Sequence, residues 1–233
     1  MIAIGKVRHS SEMALRLAQK KSESLLLNIL PKPIADQLKE DQSAIAEQFD
    51  QVTILFADIV AFTPLACRIP PPELVKLLNQ IFSTFDHLAE CHGLEKIKTI
   101  GDAYMAVGGL PIPRPDHAEA AAEMALDMRQ AITRFQRDNG EPFQLRVGIS
   151  TGPVVAGVIG LKKFIYDLWG DAVNVASRME AQGMADKIQV TTETYQCLKD
   201  KYHFQSRGVI KIKGKGEMTT YWLTGRAAGN SHY

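Results

Sequence analysis

The chain has 233 residues, of which 45% are hydrophobic and 23% charged, and its formal net charge is +1. This composition excludes a disordered or fibrous protein, and the balanced charge gives no indication of nucleic-acid binding. The length suits one well-packed domain with an appendage and argues against two full domains.

The sequence as given predicts neither a membrane span nor a secretion signal. No apolar run approaches the roughly 20 residues that cross a bilayer, and Met1 is not followed by a signal-peptide core. Cys67, Cys91 and Cys197 are an odd number of cysteines without metal-ligand spacing, which fits a reduced, cytosolic setting. We therefore expect a soluble, cytoplasmic polypeptide, an expectation that also fits the cytosolic part of a longer sensor or membrane protein.

Residues 10–38 are predicted to be helical. They are rich in Leu, Ala, Glu, Lys and Gln and lack glycine, and Pro31 and Pro33 should separate a second short helix at 34–38. An alternating spacing of three and four residues is typical of a narrow packing seam. Such a seam is equally consistent with a helix that packs on its own domain and with a signal helix that dimerises. Its members are Leu15, Ala18, Ser22, Leu25 and Ile29.

From residue 51 onward the pattern is that of a globular α+β domain. The order strand, helix, hairpin, helix, strand matches the βαββαβ arrangement of ferredoxin-like folds. The glycine-first connection Gly101-Asp102 has the chemistry of a type II′ turn. The predicted elements are a strand at 52–56, a helix from the prolines at 70–72 to Gly93, strands at 94–100 and 103–108, a helix at 116–137, a strand at 143–150, a further strand pair, a helix at 171–182 and C-terminal strands.

Two aspartates are candidate metal ligands. Asp58 follows an apolar strand, where a charge is costly unless it is paired or bound to a metal, and Asp102 lies at the tip of the hairpin. If the first strand lies beside that hairpin, both carboxylates converge at one end of the sheet. Oxygen ligands of this kind suit Mg²⁺ or Mn²⁺. Taken singly, Asp102 is better explained by turn chemistry and Asp58 by a helix cap.

Polar and basic residues in the second half are candidates for binding an anion. Asn174 and Arg178 are four apart on one predicted helix and share a face. Residues 211–216 alternate apolar and basic residues before glycines, so a strand here would present Lys211 and Lys213 on one side. A solvated helix face and a solubilising strand end are the plain alternatives.

Four stretches, in order along the chain, resemble the motifs of the class III adenylyl and guanylyl cyclases. They are FADIVAFT at 56–63, KIKTIGDAY at 96–104, RVGISTG at 146–152 and DLWGDAVNVASRM at 167–179, and four long motifs make a specific signal. The resemblance, over about residues 49–225, implies a helical linker at 1–45, a catalytic domain of the class III cyclase fold at 46–226 and a tail at 227–233.

The resemblance also implies a role for each candidate residue. Asp58 and Asp102 would hold two Mg²⁺ or Mn²⁺ ions, with the Ile59 carbonyl as an extra ligand. Asn174 would orient the ribose, Arg178 would stabilise the transition state, and Arg146 and Lys213 would bind the triphosphate, with Lys215 as a second candidate for the last role. Such ions activate the ribose 3′-hydroxyl and stabilise charge on the phosphates.

Lys98 and Asp167 occupy the family's purine-reading positions. A lysine can donate to an adenine ring nitrogen, and a carboxylate can accept from the exocyclic amine. Guanylyl cyclases typically have glutamate and cysteine at these positions, so the resemblance implies an adenylyl cyclase that acts on ATP. The complete residue set on one chain implies a homodimer with two shared sites.

Three alternatives predict different residues. A guanylyl cyclase would differ at Lys98 and Asp167, and a non-catalytic nucleotide-binding signalling domain would have lost Asp58, Asp102 or Arg178. A cyclic-dinucleotide synthase would carry a Gly-Gly-acidic motif at the hairpin, where this chain has Ile100-Gly101-Asp102.

Overall fold

The computed structural model describes residues 2–40, 45–160 and 165–227. Its helices are α1 Ile2–Leu27, α2 Lys32–Glu40, α3 Phe62–Ala66, α4 Pro71–His92, α5 His117–Ala131, α6 Asp171–Ala181 and α7 Thr192–Leu198. Its strands are β1 Ile45–Ile59, β2 Glu95–Ile100, β3 Ala103–Gly108, β4 Leu145–Ile159, β5 Ile165–Trp169, β6 Lys187–Thr191, β7 Tyr202–Ile212 and β8 Gly216–Arg226. The chain divides into a smaller unit, residues 1–46 with 157–167, and a larger unit, 47–156 with 168–233.

The smaller unit contains the two N-terminal helices. The predicted break at the prolines is confirmed, since α1 ends at Leu27 and α2 begins at Lys32. Lys39 of α2 pairs with Glu23 of α1 at 3.0 Å. The apolar members of the predicted seam are exposed, with Leu15 at 60%, Leu25 at 57% and Ile29 at 64%. None of the helices in the described ranges is long and apolar enough to cross a membrane.

The strands form one eight-stranded sheet in the order β2-β3-β1-β4-β6-β8-β7, with β5 paired to β4. β3 pairs antiparallel with both β1 and β2, and β4 pairs parallel with β6. The predicted α+β class and βαββαβ order are therefore confirmed. The first four strands form the ferredoxin-like core, and β6, β8 and β7 extend it.

The main core lies where α4 and α5 cover β1 and β3. Apolar residues along these elements, including Phe85, Tyr104 and Met124, belong to one buried cluster. The Tyr104 ring meets Phe85 edge-on at 5.6 Å, and its hydroxyl donates to Asp86 at 2.8 Å, because a buried phenol needs a polar partner. This packing defines the face of the sheet that α4 and α5 cover.

Several element bounds differ from the predictions. β1 extends beyond the predicted 52–56 in both directions, so Asp58 lies inside the strand and not after it. β4 likewise runs to Ile159. α5 is shorter than 116–137 because the chain becomes extended at Phe135 (φ −94°, ψ 135°) after a 3₁₀ turn at Ile132–Arg134. Phe135 still packs against the core, which is why its helical spacing was misleading.

Gly148 allows α6 to lie directly on β4. A Cβ atom built there would lie 2.6 Å from the Ala176 carbonyl oxygen and 2.7 Å from the Met179 carbonyl carbon. Both neighbours are backbone atoms of a helix, so neither can rotate away. The absence of a side chain at 148 therefore sets the distance between α6 and the sheet.

Gly148→Ala is expected to lower the free energy of unfolding by about 3 kcal/mol, because the clash must be relieved by moving a helix. Urea unfolding followed by circular dichroism measures this loss. Gly225→Ala is the matched control, since a Cβ there meets nothing within 4 Å, and it should be nearly neutral. Equal stability of the two variants would contradict the close contact.

Candidate active site

Asp58 and Asp102 lie together at one end of the sheet. Asp58 on β1 is directly opposite Ala103 on β3, and Asp102 immediately precedes Ala103. Gly101 has φ +61°, as the first position of a type II′ turn requires, whereas Asp102 has no positive φ. The predicted hairpin and the predicted convergence of the two aspartates are therefore both observed.

Arg146 joins this pair from β4. Its Nη2 donates to Asp58 Oδ2 at 2.5 Å, and the Val60 amide donates to the Gln144 carbonyl at 2.9 Å just beyond it. The strand pairing of β1 with β4 thus places the guanidinium against the carboxylate. The family resemblance implies a phosphate-binding role for Arg146 in the same half of the site as Asp58 and Asp102, and the ion pair is a contact that it does not specify.

A third carboxylate, Glu180 of α6, was not predicted from the sequence. It is buried, and its Oε1 lies 3.3 Å from Arg146 Nε. Burial, and then the charge of Asp58, raise the pKa of Glu180 to about 7. Burial and the charge of Asp58 also raise the pKa of Asp102. The one signal in the sequence is that Glu180 lies four residues after Ala176, on the apolar face of its helix.

The residues present fit a hard divalent cation. The two converging carboxylates offer oxygen ligands, which Mg²⁺ and Mn²⁺ prefer, and the Ile59 carbonyl is the further oxygen ligand that the family resemblance implies. The ranges that the structure describes contain no cluster of three or more His, Cys, Asp or Glu side chains suited to a metal. A Mg²⁺ ion is commonly held by one or two carboxylates together with substrate phosphates, so this smaller set is sufficient.

A bulge in β2 determines which way Lys98 points. Lys96 is opposite Ala106 and Lys98 is opposite Met105, so Ile97 is an extra residue in the ladder. Since cross-strand partners share a face and consecutive residues alternate, the two lysines point to opposite faces. Lys96 forms an ion pair with Asp86 of α4 at 2.7 Å, on the face that α4 and α5 cover. Lys98, half-buried, lies on the other face.

Asp58 lies on the same face of the sheet as Lys98, since Asp58 pairs with Ala103 and Lys98 with Met105, two residues further along β3. The second predicted purine reader, Asp167, is half-buried on β5 and belongs to the smaller unit.

Asn174 and Arg178 are both exposed, one turn apart on α6. The opposite side of this helix is buried, with Ala172, Ala176 and Met179 facing inward. The prediction that Asn174 and Arg178 share a face is therefore confirmed.

Lys213 does not lie on a strand, which corrects the prediction for 211–216. β7 ends at Ile212, and Lys213 begins the turn before β8. Gly214 and Gly216 have φ of +84° and +83°, a conformation that suits glycine and closes the hairpin tightly. Lys213 is exposed, and Lys215 forms an ion pair with Asp171 in the first turn of α6. The basic turn is thereby attached to the helix that carries Asn174 and Arg178.

The known proteins described next, which resemble this chain in sequence or structure, are cyclases. The family model described as "Adenylate and Guanylate cyclase catalytic domain" matches residues 44–225. An adenylate cyclase of Mycobacterium tuberculosis is 50% identical over 217 residues, which are 93% of this chain and 49% of that protein. The human guanylate cyclase soluble subunit beta-2 is 46% identical over 211 residues, which are 90% of this chain and 34% of that protein. The chain thus spans about half, or less, of the length of these relatives.

Solved structures agree with the sequence matches. The guanylate cyclase domain of RhGC from Catenaria anguillulae, in complex with GTP, is 40% identical with a TM-score of 0.75, over 78% of this chain and 100% of that one. The adenylyl cyclase CyaB from P. aeruginosa is 28% identical with a TM-score of 0.73, over 79% of this chain and 98% of that one. This chain belongs to the family of class III adenylate and guanylate cyclase catalytic domains.

Proposed function

We propose that this domain is an adenylyl cyclase, which converts ATP to 3′,5′-cyclic AMP and pyrophosphate. The observation that carries the proposal is the cluster of Asp58, Asp102 and Arg146, which suits a cation–triphosphate complex. The choice of ATP rests on Lys98 and Asp167, whose donor and acceptor match adenine. The 50% identical relative named adenylate cyclase gives further support.

Each residue then has a defined task. Asp58 and Asp102, with the Ile59 carbonyl, hold two Mg²⁺ or Mn²⁺ ions. When bound, these ions activate the ribose 3′-hydroxyl and stabilise the charge on the α-phosphate and the leaving pyrophosphate. The remaining tasks are positioning and charge neutralisation, which dominate phosphoryl transfer. Arg146 and Lys213 bind the triphosphate, Asn174 orients the ribose, and Arg178 stabilises the transition state.

The two halves of the site are proposed to meet across a twofold homodimer. The cation ligands lie at the ends of β1 and β3, whereas Asn174, Arg178 and Lys213 are exposed on α6 and the β7–β8 turn. Exposed polar residues with these assigned tasks are free to face a second copy. Two equivalent sites per dimer follow from the symmetry.

We further propose that the domain works in the cytoplasm downstream of a sensor or membrane segment. The matched relatives are at least twice as long as the stretch that they share with this chain. The exposed seam residues of α1, Leu15 and Leu25 among them, suit a helix that dimerises and transmits a signal to the catalytic domain.

A turnover assay with ATP and with GTP, in Mg²⁺ or Mn²⁺ and over a range of protein concentrations, tests the proposal. Cyclic AMP is the expected main product, and the activity per chain should rise with protein concentration because the dimer is the active species. Absence of cyclic nucleotide with either metal would overturn the enzymatic function. Main formation of cyclic GMP would favour the second candidate, a guanylyl cyclase, which the 46% identical relative supports.

Changing Lys98→Glu together with Asp167→Cys is expected to lower the preference for ATP over GTP by about 10- to 100-fold, because adenine then leaves polar groups unpaired. The kcat/KM values for the two nucleotides measure this preference. Lys96→Gln is the matched control: this lysine is on the same strand but points to the opposite face, so the ratio should stay constant. An unchanged ratio in the double variant would disprove the purine-reading roles.

A further inference from the structure

A buried glutamate faces the arginine of the candidate site without a hydrogen bond. Glu180 is 8% exposed, and its Oε1 approaches Arg146 Nε at 3.3 Å. Both atoms are shielded from solvent, and neither has a hydrogen-bond partner among the residues that the structure describes. A buried carboxylate held in this way is costly for the fold, and a specific charged partner in such a place is a mark of functional sites.

Arg146 is shared between two carboxylates on different elements. Its Nη2 donates to Asp58 on β1 at 2.5 Å, while its Nε faces Glu180 on α6. Asp58 is also a proposed cation ligand. Arg146 and a cation on Asp58 would thus share one carboxylate, while Glu180 offers the guanidinium a second one.

The position of Glu180 is fixed by the backbone. α6 lies directly on Gly148, two residues after Arg146 on β4. The Glu180 amide is among the atoms that a Cβ at 148 would strike. The Glu180 backbone is therefore held against β4, and its carboxylate lies within reach of Arg146.

We propose that Glu180 is a positioning residue that holds the Arg146 guanidinium at the triphosphate site when Asp58 binds its cation. This inference rests on the proposed cyclase function. A divalent cation on Asp58 weakens the hydrogen bond from Arg146, since the two positive groups repel each other. The ion pair between Arg146 and Glu180 then becomes the main contact of the guanidinium, and it keeps Arg146 beside the phosphates. Without Glu180, the arginine continues to compete for Asp58.

The test compares Glu180→Gln with a matched control, Glu123→Gln. Glu123 is likewise a glutamate paired with an arginine: it accepts hydrogen bonds from Arg226 at 2.6 Å and from Tyr202 at 2.7 Å, but it has no place in the proposed site. The Kd for Mn²⁺ is measured on the nucleotide-free protein by electron paramagnetic resonance, and KM and kcat are measured with ATP. In Glu180→Gln, both the Kd for Mn²⁺ and the KM should rise by about fivefold or more, the scale of coupling between neighbouring sites. In Glu123→Gln, both should stay within about twofold of the wild type.

A second pair of variants shows whether Glu180 acts through Arg146. Arg146→Lys keeps the positive charge but lacks the planar fork that bridges two carboxylates. In that background, Glu180→Gln should change the KM by less than about twofold, because interacting residues are not additive. The same fivefold loss in both backgrounds would overturn the proposal, since Glu180 would then act through its own charge. Equal values for Glu180→Gln and Glu123→Gln would also overturn it.

Two further controls keep the outcomes separate. Urea unfolding shows whether each variant is folded, and if Glu180→Gln is not, Glu180→Asp provides the same readouts with a carboxylate one methylene further from Arg146. If the wild type forms no cyclic nucleotide, the proposed function fails, while Mn²⁺ binding without nucleotide still tests the pairing of Glu180 with Arg146.

Discussion

Replacing Asp58 with asparagine is expected to lower cyclase turnover by about a thousandfold or more, because the loss of a charged ligand removes cation-assisted catalysis. Asparagine keeps the shape of the side chain inside β1, so the fold should survive. The Kd for Mn²⁺ should rise together with the loss of turnover. Steady-state production of cyclic AMP and a Mn²⁺ titration measure the two effects.

The chain offers a matched control for this variant. Asp138 also forms an ion pair with an arginine, Arg68, at 2.9 Å, but it is exposed and is not a proposed cation ligand. Asp138→Asn should therefore keep normal turnover and lose at most about 1 kcal/mol of stability. Full activity in Asp58→Asn would disprove its assignment as a cation ligand.

Mixing two inactive variants is expected to restore activity. Asp58→Asn removes a cation ligand from a site, and Arg178→Ala removes the residue that stabilises the transition state. A homodimer of either variant therefore has two inactive sites. If the sites are shared, a mixed dimer places both changes in one site and leaves the other intact. Random exchange makes half of the dimers mixed, each with one of two sites working, so about a quarter of the wild-type activity should return.

The recovery should grow with incubation time as the subunits exchange, and it is followed by the production of cyclic AMP. Two preparations of Asp58→Asn mixed with each other are the control and should remain inactive. No recovery at any ratio of the two variants would show that each site is built within one chain.

The sequence predicted the fold class and the placement of several candidate residues well. Local signals determine these features: Gly101 at a two-residue turn, Gly93 at the end of α4, and the spacing of Asn174 and Arg178 on α6. The convergence of Asp58 with Asp102 followed once the first strand was placed beside the hairpin.

Other features depend on tertiary contacts that local patterns do not contain. The end of β1 was misjudged because a charged residue such as Asp58 is unusual inside a buried strand. The alternation of side chains along a strand does not predict the bulge at Ile97, although this bulge determines the face of the sheet on which Lys98 lies. Glu180 was missed because an acid near a helix end normally faces solvent, and only the close approach at Gly148 buries it.

The packing of α6 on Gly148 has a consequence for how the two sites of a dimer communicate. The outer face of this helix carries Asn174 and Arg178, while its inner end carries Glu180 against Arg146. In a dimer with shared sites, one rigid helix would therefore contact the nucleotide of one site and the arginine of the other. A nucleotide that shifts α6 in the first site would also move Arg146 in the second, so the two sites would fill cooperatively and not independently.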